Sequence, residues 1–204
     1  MSHNTWIHRV ARAAIVRPLR PLGVTPNQLT TVRLATGVTA AIMLAIGGVA
    51  SAAWAASVFA LAMLLDRADG DLARTTGQTS AAGHRFDLAS DAICNALIFV
   101  GLGVGLRDGQ YGMMAIVMGI AAGLAVTAIL AMVMRIEASV GERAAELGSS
   151  AGFDADDAII AVPIALWLGY SDGLLLAAAI GAPVFAIGFF VFFRKKLLSP
   201  AASA

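Results

Sequence analysis

The sequence predicts an all-α, polytopic membrane protein with six transmembrane helices. Three observations carry this prediction. Hydrophobic residues make up 59% of the 204 residues and charged residues 13%, and the mean hydropathy is +0.81. Soluble globular proteins have about 45–50% apolar and about 25% charged residues. The single cysteine excludes a disulfide scaffold, and the net charge of +1 gives no general attraction to nucleic acid, which we do not expect as a partner.

Six apolar stretches are candidates for helices that cross about 30 Å of hydrocarbon, which takes about 20 residues. The predicted spans cover residues 27–49, 52–76, 84–106, 110–136, 155–170 and 173–193. The second span is apolar only as far as Leu65, and the third only after Asp91. No linker or internal repeat interrupts the chain, so we expect one domain over residues 1–204, with a six-helix bundle over 27–193.

Residues 1–24 are predicted to form an amphipathic helix that lies on the membrane surface. Its apolar face contains Trp6, Ile7, Val10, Ala11, Ala14 and Ile15. Its polar face contains His8, Arg9 and Arg12. The segment has no uninterrupted apolar core like that of a signal peptide, so cleavage is not expected. Thr25 and Pro26 then predict the N-terminus of the first span, as N-cap and first helical residue.

Basic residues predict the orientation of the bundle. One side of the membrane, or the span ends nearest to it, carries Arg9, Arg12, Arg17, Arg20, Arg33, Arg67, Arg74, Arg85, Arg135, Arg143, Arg194, Lys195 and Lys196. The other side carries only Arg107. The basic side should be cytoplasmic, with both termini and a basic tail over residues 194–204 there. Aromatic residues at the opposite ends of the spans agree with this orientation: Trp54, Tyr111, Trp167 and Tyr170. In a bacterium this membrane would be the inner one.

Four aspartates lie near the adjoining ends of the second and third spans. Asp66 and Asp69 are spaced i, i+3, and Asp87 and Asp91 are spaced i, i+4. Each would cost roughly 2.5–3.5 kcal/mol if it were unpaired at mid-membrane. The short turn at residues 77–80 predicts that the two helices are antiparallel neighbours with facing acidic stripes. Four carboxylates in one pocket suit Mg²⁺ or Mn²⁺, and two such ions would balance their charge.

Small residues and one arginine lie on the same helical stripes. Gly70, Ala73 and Gly83 leave room beside the carboxylates for a ligand to approach the backbone. Arg74 offers a planar fork that suits phosphate. Metal ligands, a cavity and an arginine together predict phosphoryl or phosphodiester chemistry at the cytoplasmic surface of the membrane.

These residues carry a family resemblance. Residues 66–91 read D-R-A-D-G-D-L-A-R-T-T-G-Q-T-S-A-A-G-H-R-F-D-L-A-S-D. The segment resembles the signature of the CDP-alcohol phosphotransferases, D-x-x-D-G-x-x-A-R-x8-G-x-x-x-D-x-x-x-D, at all eight fixed positions. The resemblance implies a homodimer of six-helix subunits. It also implies transfer of a substituted phosphate from a CDP-linked donor to an alcohol, with release of CMP.

The resemblance also implies a role for each motif residue. Asp66, Asp69 and Asp87 would be the main metal ligands. Asp91 would be the general base that deprotonates the acceptor, and it is also a candidate metal ligand. The CDP site would contain Asp69, Gly70, Ala73, Arg74 and Gly83. Asn27 and Thr30 have two interpretations: they cap the first span, or they contact the nucleotide or its metal-bound phosphates.

The donor and acceptor stay open at this stage. The main hypothesis is transfer from CDP-diacylglycerol to a small polar alcohol in phospholipid biosynthesis; the alternative is transfer from a soluble CDP-alcohol to a lipid alcohol. Arg135, Arg143 and Arg194 favour an acceptor that carries phosphate, such as glycerol-3-phosphate or an inositol phosphate. Acidic residues on the same side favour an amine-bearing acceptor such as serine: Asp154, Asp156 and Asp157.

Two other interpretations of the aspartates concern a different function or none. They could form a cation path in a transporter, although such sites usually lie at the bilayer midplane between repeats. They could also form a structural ion-pair network with Arg67, Arg74 and Arg85.

Overall fold

The computed structural model describes residues 10–140 and 159–198, and the regular structure in these ranges is helical. After an N-terminal helical segment, six α-helices follow: α1 (Pro26–Ile46), α2 (Val49–Thr76), α3 (Ala81–Gly105), α4 (Met114–Val140), α5 (Ala161–Trp167) and α6 (Ser171–Leu198). Five of them, α1 to α4 and α6, are long and apolar enough to cross a membrane. The predicted all-helical membrane fold is therefore confirmed.

The fifth predicted span, residues 155–170, lies partly outside the described residues. Within them, α5 has only seven residues, so the count of six spans stays a prediction. Two other boundaries also differ from the predicted ones. α3 begins at Ala81 rather than 84, because the Ser80 hydroxyl caps it by accepting from the Gly83 amide at 3.0 Å. α4 begins at Met114 rather than 110, after a series of turns over residues 106–113.

The start of α1 follows the sequence pattern. The Thr25 hydroxyl accepts from the Gln28 amide at 3.3 Å, and the Gln28 side chain accepts from the Thr25 amide at 3.0 Å. Pro26 occupies the first turn, where its missing N–H costs nothing. This reciprocal capping confirms the predicted helix start. At the other end, Gly47 and Gly48 have φ of 84° and 87°, which lets α1 turn into α2 within two residues.

The N-terminal segment packs on the N-terminal end of α1 and on the C-terminal part of α2. It is π-helical over Arg12–Val16, α-helical over Arg17–Leu19 and 3-10 helical over Arg20–Leu22. Its buried residues, Ala11 and Val16, belong to a cluster with Leu29, Leu65, Ala68 and Leu72. The Arg12 guanidinium makes a two-armed contact with Asp71, with N–O distances of 2.8 and 2.6 Å, and this carboxylate raises the pKa of Arg12. Trp6, Ile7, His8 and Arg9 lie outside the described residues, so an interfacial helix over 1–24 stays a prediction.

The packing of the helices differs from the predicted packing at the two acidic helices, α2 and α3. α1 packs along both α2 and α3, α3 packs along α4, and α4 packs along α6. In the described part of the chain, α2 and α3 are not extensively packed against each other. The two acidic helices therefore pack along α1 more than against each other, although acidic residues of both converge, as described below.

Glycines allow these helices to approach closely. A Cβ on Gly101 would contact the Ala41 carbonyl oxygen of α1, and one on Gly103 would contact the Ala115 carbonyl oxygen of α4. Gly119 faces Phe99 and Gly103, and Gly123 faces Ala96. The G-x-x-x-G pair of α4 thus serves packing within the chain, as small residues commonly do between membrane helices.

Gly103→Ala should separate α3 from α4. The added Cβ has only backbone atoms beside it, and crowding of this kind costs about 1–3 kcal/mol. We expect the thermal midpoint in detergent to fall by several degrees, at about 2–4 °C per kcal/mol. Gly181→Ala is the matched control, because a Cβ at Gly181 of α6 would meet no atom within 4 Å. An equal midpoint for the two variants would contradict this packing.

Candidate active site

Three of the predicted metal ligands converge. Asp66 and Asp69 of α2 and Asp87 of α3 each place a carboxylate oxygen so that all three atoms lie within 4.8 Å of one another. Asp69 is buried and the other two are half-buried. The set is all oxygen and negatively charged, which is the donor chemistry that Mg²⁺ and Mn²⁺ prefer. These residues therefore fit a divalent metal ion, and we call them the acidic triad.

A buried arginine of α1 lies between the acidic helices. Arg33 is 3% exposed. Its Nη1 atom lies 3.0 Å from Asp66 Oδ1 and 2.9 Å from Asp87 Oδ1, and its Nη2 atom contacts Asp91 Oδ1. Sequence reasoning missed this role, because it assigned Arg33 only to the orientation of the bundle. The helical spacing of Asn27, Thr30 and Arg33 places them on one stripe of α1, and that pattern could have found it.

Asp91 is not a member of the acidic triad. It lies one turn beyond Asp87 on α3, its side chain is 28% exposed, and it contacts Arg33. Asp69 is held from the other side, since the Thr30 hydroxyl donates to Asp69 Oδ2 at 2.8 Å. Arg67 Nη1 lies 2.5 Å from Asp66 Oδ2. Of the arginines that the structural ion-pair interpretation names, Arg67 contacts Asp66, whereas Arg74 lies 3.9 Å from Asp71.

A cleft of about 180 Å³ opens beside the acidic triad, between α1, α2 and the turn that leads into α3. All seven residues that were predicted to bind CDP line it: Asn27, Thr30, Asp69, Gly70, Ala73, Arg74 and Gly83. Asp87 also reaches it. Sequence reasoning did not assign five further lining residues to the site: Pro26, Gln78, Thr79, Ser80 and His84. The roles of the seven residues in binding CDP stay predictions. The fold brings these residues together at one cleft, as predicted.

Two glycines shape the wall of this cleft. A Cβ on Gly83 would lie 3.1 Å from the Asn27 amide oxygen and 3.0 Å from the Ser80 hydroxyl. A Cβ on Gly70 would lie 3.3 Å from an Arg74 terminal nitrogen. The side chains of Asn27 and Arg74 therefore use space that only glycine leaves free. The cleft combines an acidic floor with a half-exposed guanidinium, which suits a metal-bound phosphate.

Comparison with known families decides the identity of the fold. A profile of the CDP-alcohol phosphatidyltransferase family matches residues 23–192. The chain belongs to this family. It is thus a transferase of phospholipid biosynthesis and an integral membrane protein, as the family and its apolar helices indicate.

Solved structures agree with the fold of this phosphatidyltransferase. One is the crystal structure of Mycobacterium tuberculosis phosphatidylinositol phosphate synthase with CDP-DAG bound, at 19% identity and a TM-score of 0.64, covering 97% of this chain and 99% of that one. The other is the same synthase in complex with manganese and citrate, at 19% identity and a TM-score of 0.62, covering 93% of this chain and 92% of that one. Comparison with curated proteins gave no match.

The predicted acceptor residues do not line the cleft of the phosphatidyltransferase. Arg135 is exposed near the end of α4, where its Nε donates to the Leu197 carbonyl oxygen at 3.1 Å. Arg194 is exposed near the end of α6. Arg143 lies outside the described residues, as do Asp154, Asp156 and Asp157. The acceptor site therefore stays a prediction.

Proposed function

We propose that the protein transfers a phosphatidyl group from CDP-diacylglycerol to the hydroxyl of a small polar alcohol and releases CMP. The observation that carries this proposal is the convergence of Asp66, Asp69 and Asp87 at the wall of a cleft lined by the other motif residues. The family supports the reaction class. The similar synthase that was crystallised with CDP-DAG supports the donor.

The acidic triad would hold Mg²⁺ or Mn²⁺, a choice supported by the similar synthase crystallised with manganese. A bound divalent ion supplies positive charge against the diphosphate of the donor. Two divalent ions would balance four uncompensated carboxylates. Arg33 already supplies one positive charge to them, so charge balance alone does not require two ions.

The other residues of the site would bind the donor or accept the proton of the acceptor. Arg74, exposed at the rim, would bind a phosphate oxygen, and Gly70, Ala73 and Gly83 would let the nucleotide approach the backbone. Asp91 would take the proton from the acceptor hydroxyl. The acceptor oxygen then bonds to the phosphorus that carries diacylglycerol, and the bond from that phosphorus to the bridging oxygen breaks. That oxygen leaves with CMP.

A release assay tests this function. Purified protein is supplied with CDP-diacylglycerol, Mg²⁺ or Mn²⁺, and one acceptor at a time: glycerol-3-phosphate, an inositol phosphate or serine. A second arm supplies a soluble CDP-alcohol with diacylglycerol. We expect CMP in the first arm only, and none with EDTA or without an acceptor. CMP in the second arm alone would reverse the assignment of the lipid tails, and no CMP in either arm would reject the donor.

Arg135 is the proposed contact for an acceptor phosphate. Charge-assisted hydrogen bonds contribute about 1.5–3 kcal/mol, so Arg135→Ala should raise the KM for a phosphorylated acceptor by roughly tenfold to a hundredfold. The KM for CDP-diacylglycerol should change far less. Arg107→Ala is the control, because Arg107 binds backbone carbonyl groups of Ala45 and Val104 at the opposite end of the bundle. An unchanged acceptor KM would remove Arg135 from the site.

We further propose a homodimer of single-domain subunits with the active site on the cytoplasmic side. The family resemblance supports the dimer. The cluster of basic residues beside the cleft end of the bundle supports the orientation. At the opposite end Trp54, Trp167 and Tyr170 are exposed, as residues of an aromatic belt would be.

A further inference from the structure

Arg33 contacts the acidic residues with two different arms of its guanidinium. Nη1 contacts two members of the acidic triad, Asp66 and Asp87, with N–O distances of 3.0 and 2.9 Å. Nη2 serves Asp91. One rigid planar group therefore bridges Asp91 and two members of the acidic triad. An ammonium group could supply the same charge, but it could not fix two directions at once.

The packing of the helices brings Arg33 to both acidic helices. Asp66 lies on α2, whereas Asp87 and Asp91 lie on α3, and α1 packs along both helices. A side chain of α1 therefore contacts carboxylates of α2 and of α3. Arg33 is 3% exposed, so its guanidinium has little freedom, and a fixed fork gives its partners fixed positions.

We propose that Arg33 is a positioning residue that orients Asp91, so that Asp91 accepts the proton of the acceptor. This inference rests on the proposed function. It singles out Asp91 as the carboxylate that the Nη2 arm contacts. It also assigns a role to a residue outside the family signature.

The test compares Arg33→Lys and Arg33→Gln with Arg107→Gln. CMP release gives kcat and the KM for CDP-diacylglycerol, and thermal midpoints are measured in EDTA and in Mn²⁺. Misplacement by about 1 Å can cost about 100-fold, so we expect kcat of Arg33→Lys to fall by about that factor. The KM for the donor should stay within about threefold, since the loss concerns the chemical step. Arg107→Gln should leave both parameters unchanged.

The thermal midpoint provides a readout that does not depend on turnover. Without its buried cation, Arg33→Gln leaves like charges close together, so its midpoint in EDTA should be lower than that of the wild type. Mn²⁺ should raise that midpoint by more than it raises the wild-type midpoint, because the ion supplies the missing positive charge. The low kcat should persist at saturating Mn²⁺, because Asp91 still lacks its orienting contact.

Several results would overturn the proposal. A kcat for Arg33→Lys within about threefold of wild type would do so, as would equal changes in kcat and donor KM. Failure of both Arg33 variants to fold, with Arg107→Gln folded, would show a role in assembly instead. An inactive wild-type protein would reject the proposed function itself. Normal kcat in the variants of an active wild type would reject only the role of Arg33.

Discussion

Asp91→Asn is expected to reduce CMP release by about 10²–10⁴-fold, the usual contribution of a general base. The amide that replaces the carboxylate cannot accept the proton of the acceptor hydroxyl. Metal-dependent binding of CDP should persist, because Asp91 lies outside the acidic triad and does not line the cleft. Single-turnover CMP release and calorimetric titration with CDP in Mn²⁺ measure the two properties separately.

The control for this experiment is Asp108→Asn. Asp108 lies at the opposite end of the bundle with its side chain 87% exposed, so its replacement should affect neither property. Near-normal turnover in Asp91→Asn would remove Asp91 from the role of base. Loss of CDP binding together with turnover would instead place Asp91 among the metal ligands.

Asp69→Asn should have the second large effect, and it should act on binding. Asp69 contributes a charged oxygen to the acidic triad and also lines the cleft. Loss of a charge-assisted contact costs about 1.5–3 kcal/mol, so Mn²⁺ affinity should fall by roughly tenfold to a hundredfold. CDP affinity should fall in parallel, because the proposed site binds the nucleotide through the metal.

Titration of Mn²⁺ by electron paramagnetic resonance, with and without CDP, checks this coupling. Asp66→Asn should behave in the same way, because Asp66 is a member of the same triad. Asp71→Asn provides a contrast, since Asp71 is buried on the same helix but contacts Arg12 of the N-terminal segment. Unchanged Mn²⁺ affinity in Asp69→Asn would contradict the proposed metal site. CDP binding that is equally tight with and without Mn²⁺ would also contradict it.

The sequence predicts this site well where the information lies within one helix. The i, i+3 spacing of Asp66 and Asp69 fixes one stripe of α2, and the motif places Asp87 on a second stripe. The capping pattern of Thr25 and Gln28 likewise predicts the start of α1 from local chemistry alone. In each case the relevant geometry is set by residues a few positions apart.

The patterns within the sequence do not show which helices pack together. A short turn joins α2 to α3, yet both helices pack along α1, and glycines of α3 fit closely against the backbone of α1. At Gly101 and Gly105, a Cβ would contact the carbonyl oxygens of Ala41 and Leu44. Periodicity within α1 places Arg33 on the stripe of Asn27 and Thr30, but it does not show which carboxylates Arg33 contacts. Its role depends on contacts between residues more than thirty positions apart.

The position of α1 has a consequence for protein engineering. The signature, residues 66–91, contains every carboxylate of the site but neither Thr30 nor Arg33, which contact those carboxylates. A hairpin of α2 and α3 grafted into another membrane scaffold would carry the acids without the helix that contacts them both. The smallest transplantable unit is therefore a three-helix module that begins at Pro26 and ends at Gly105.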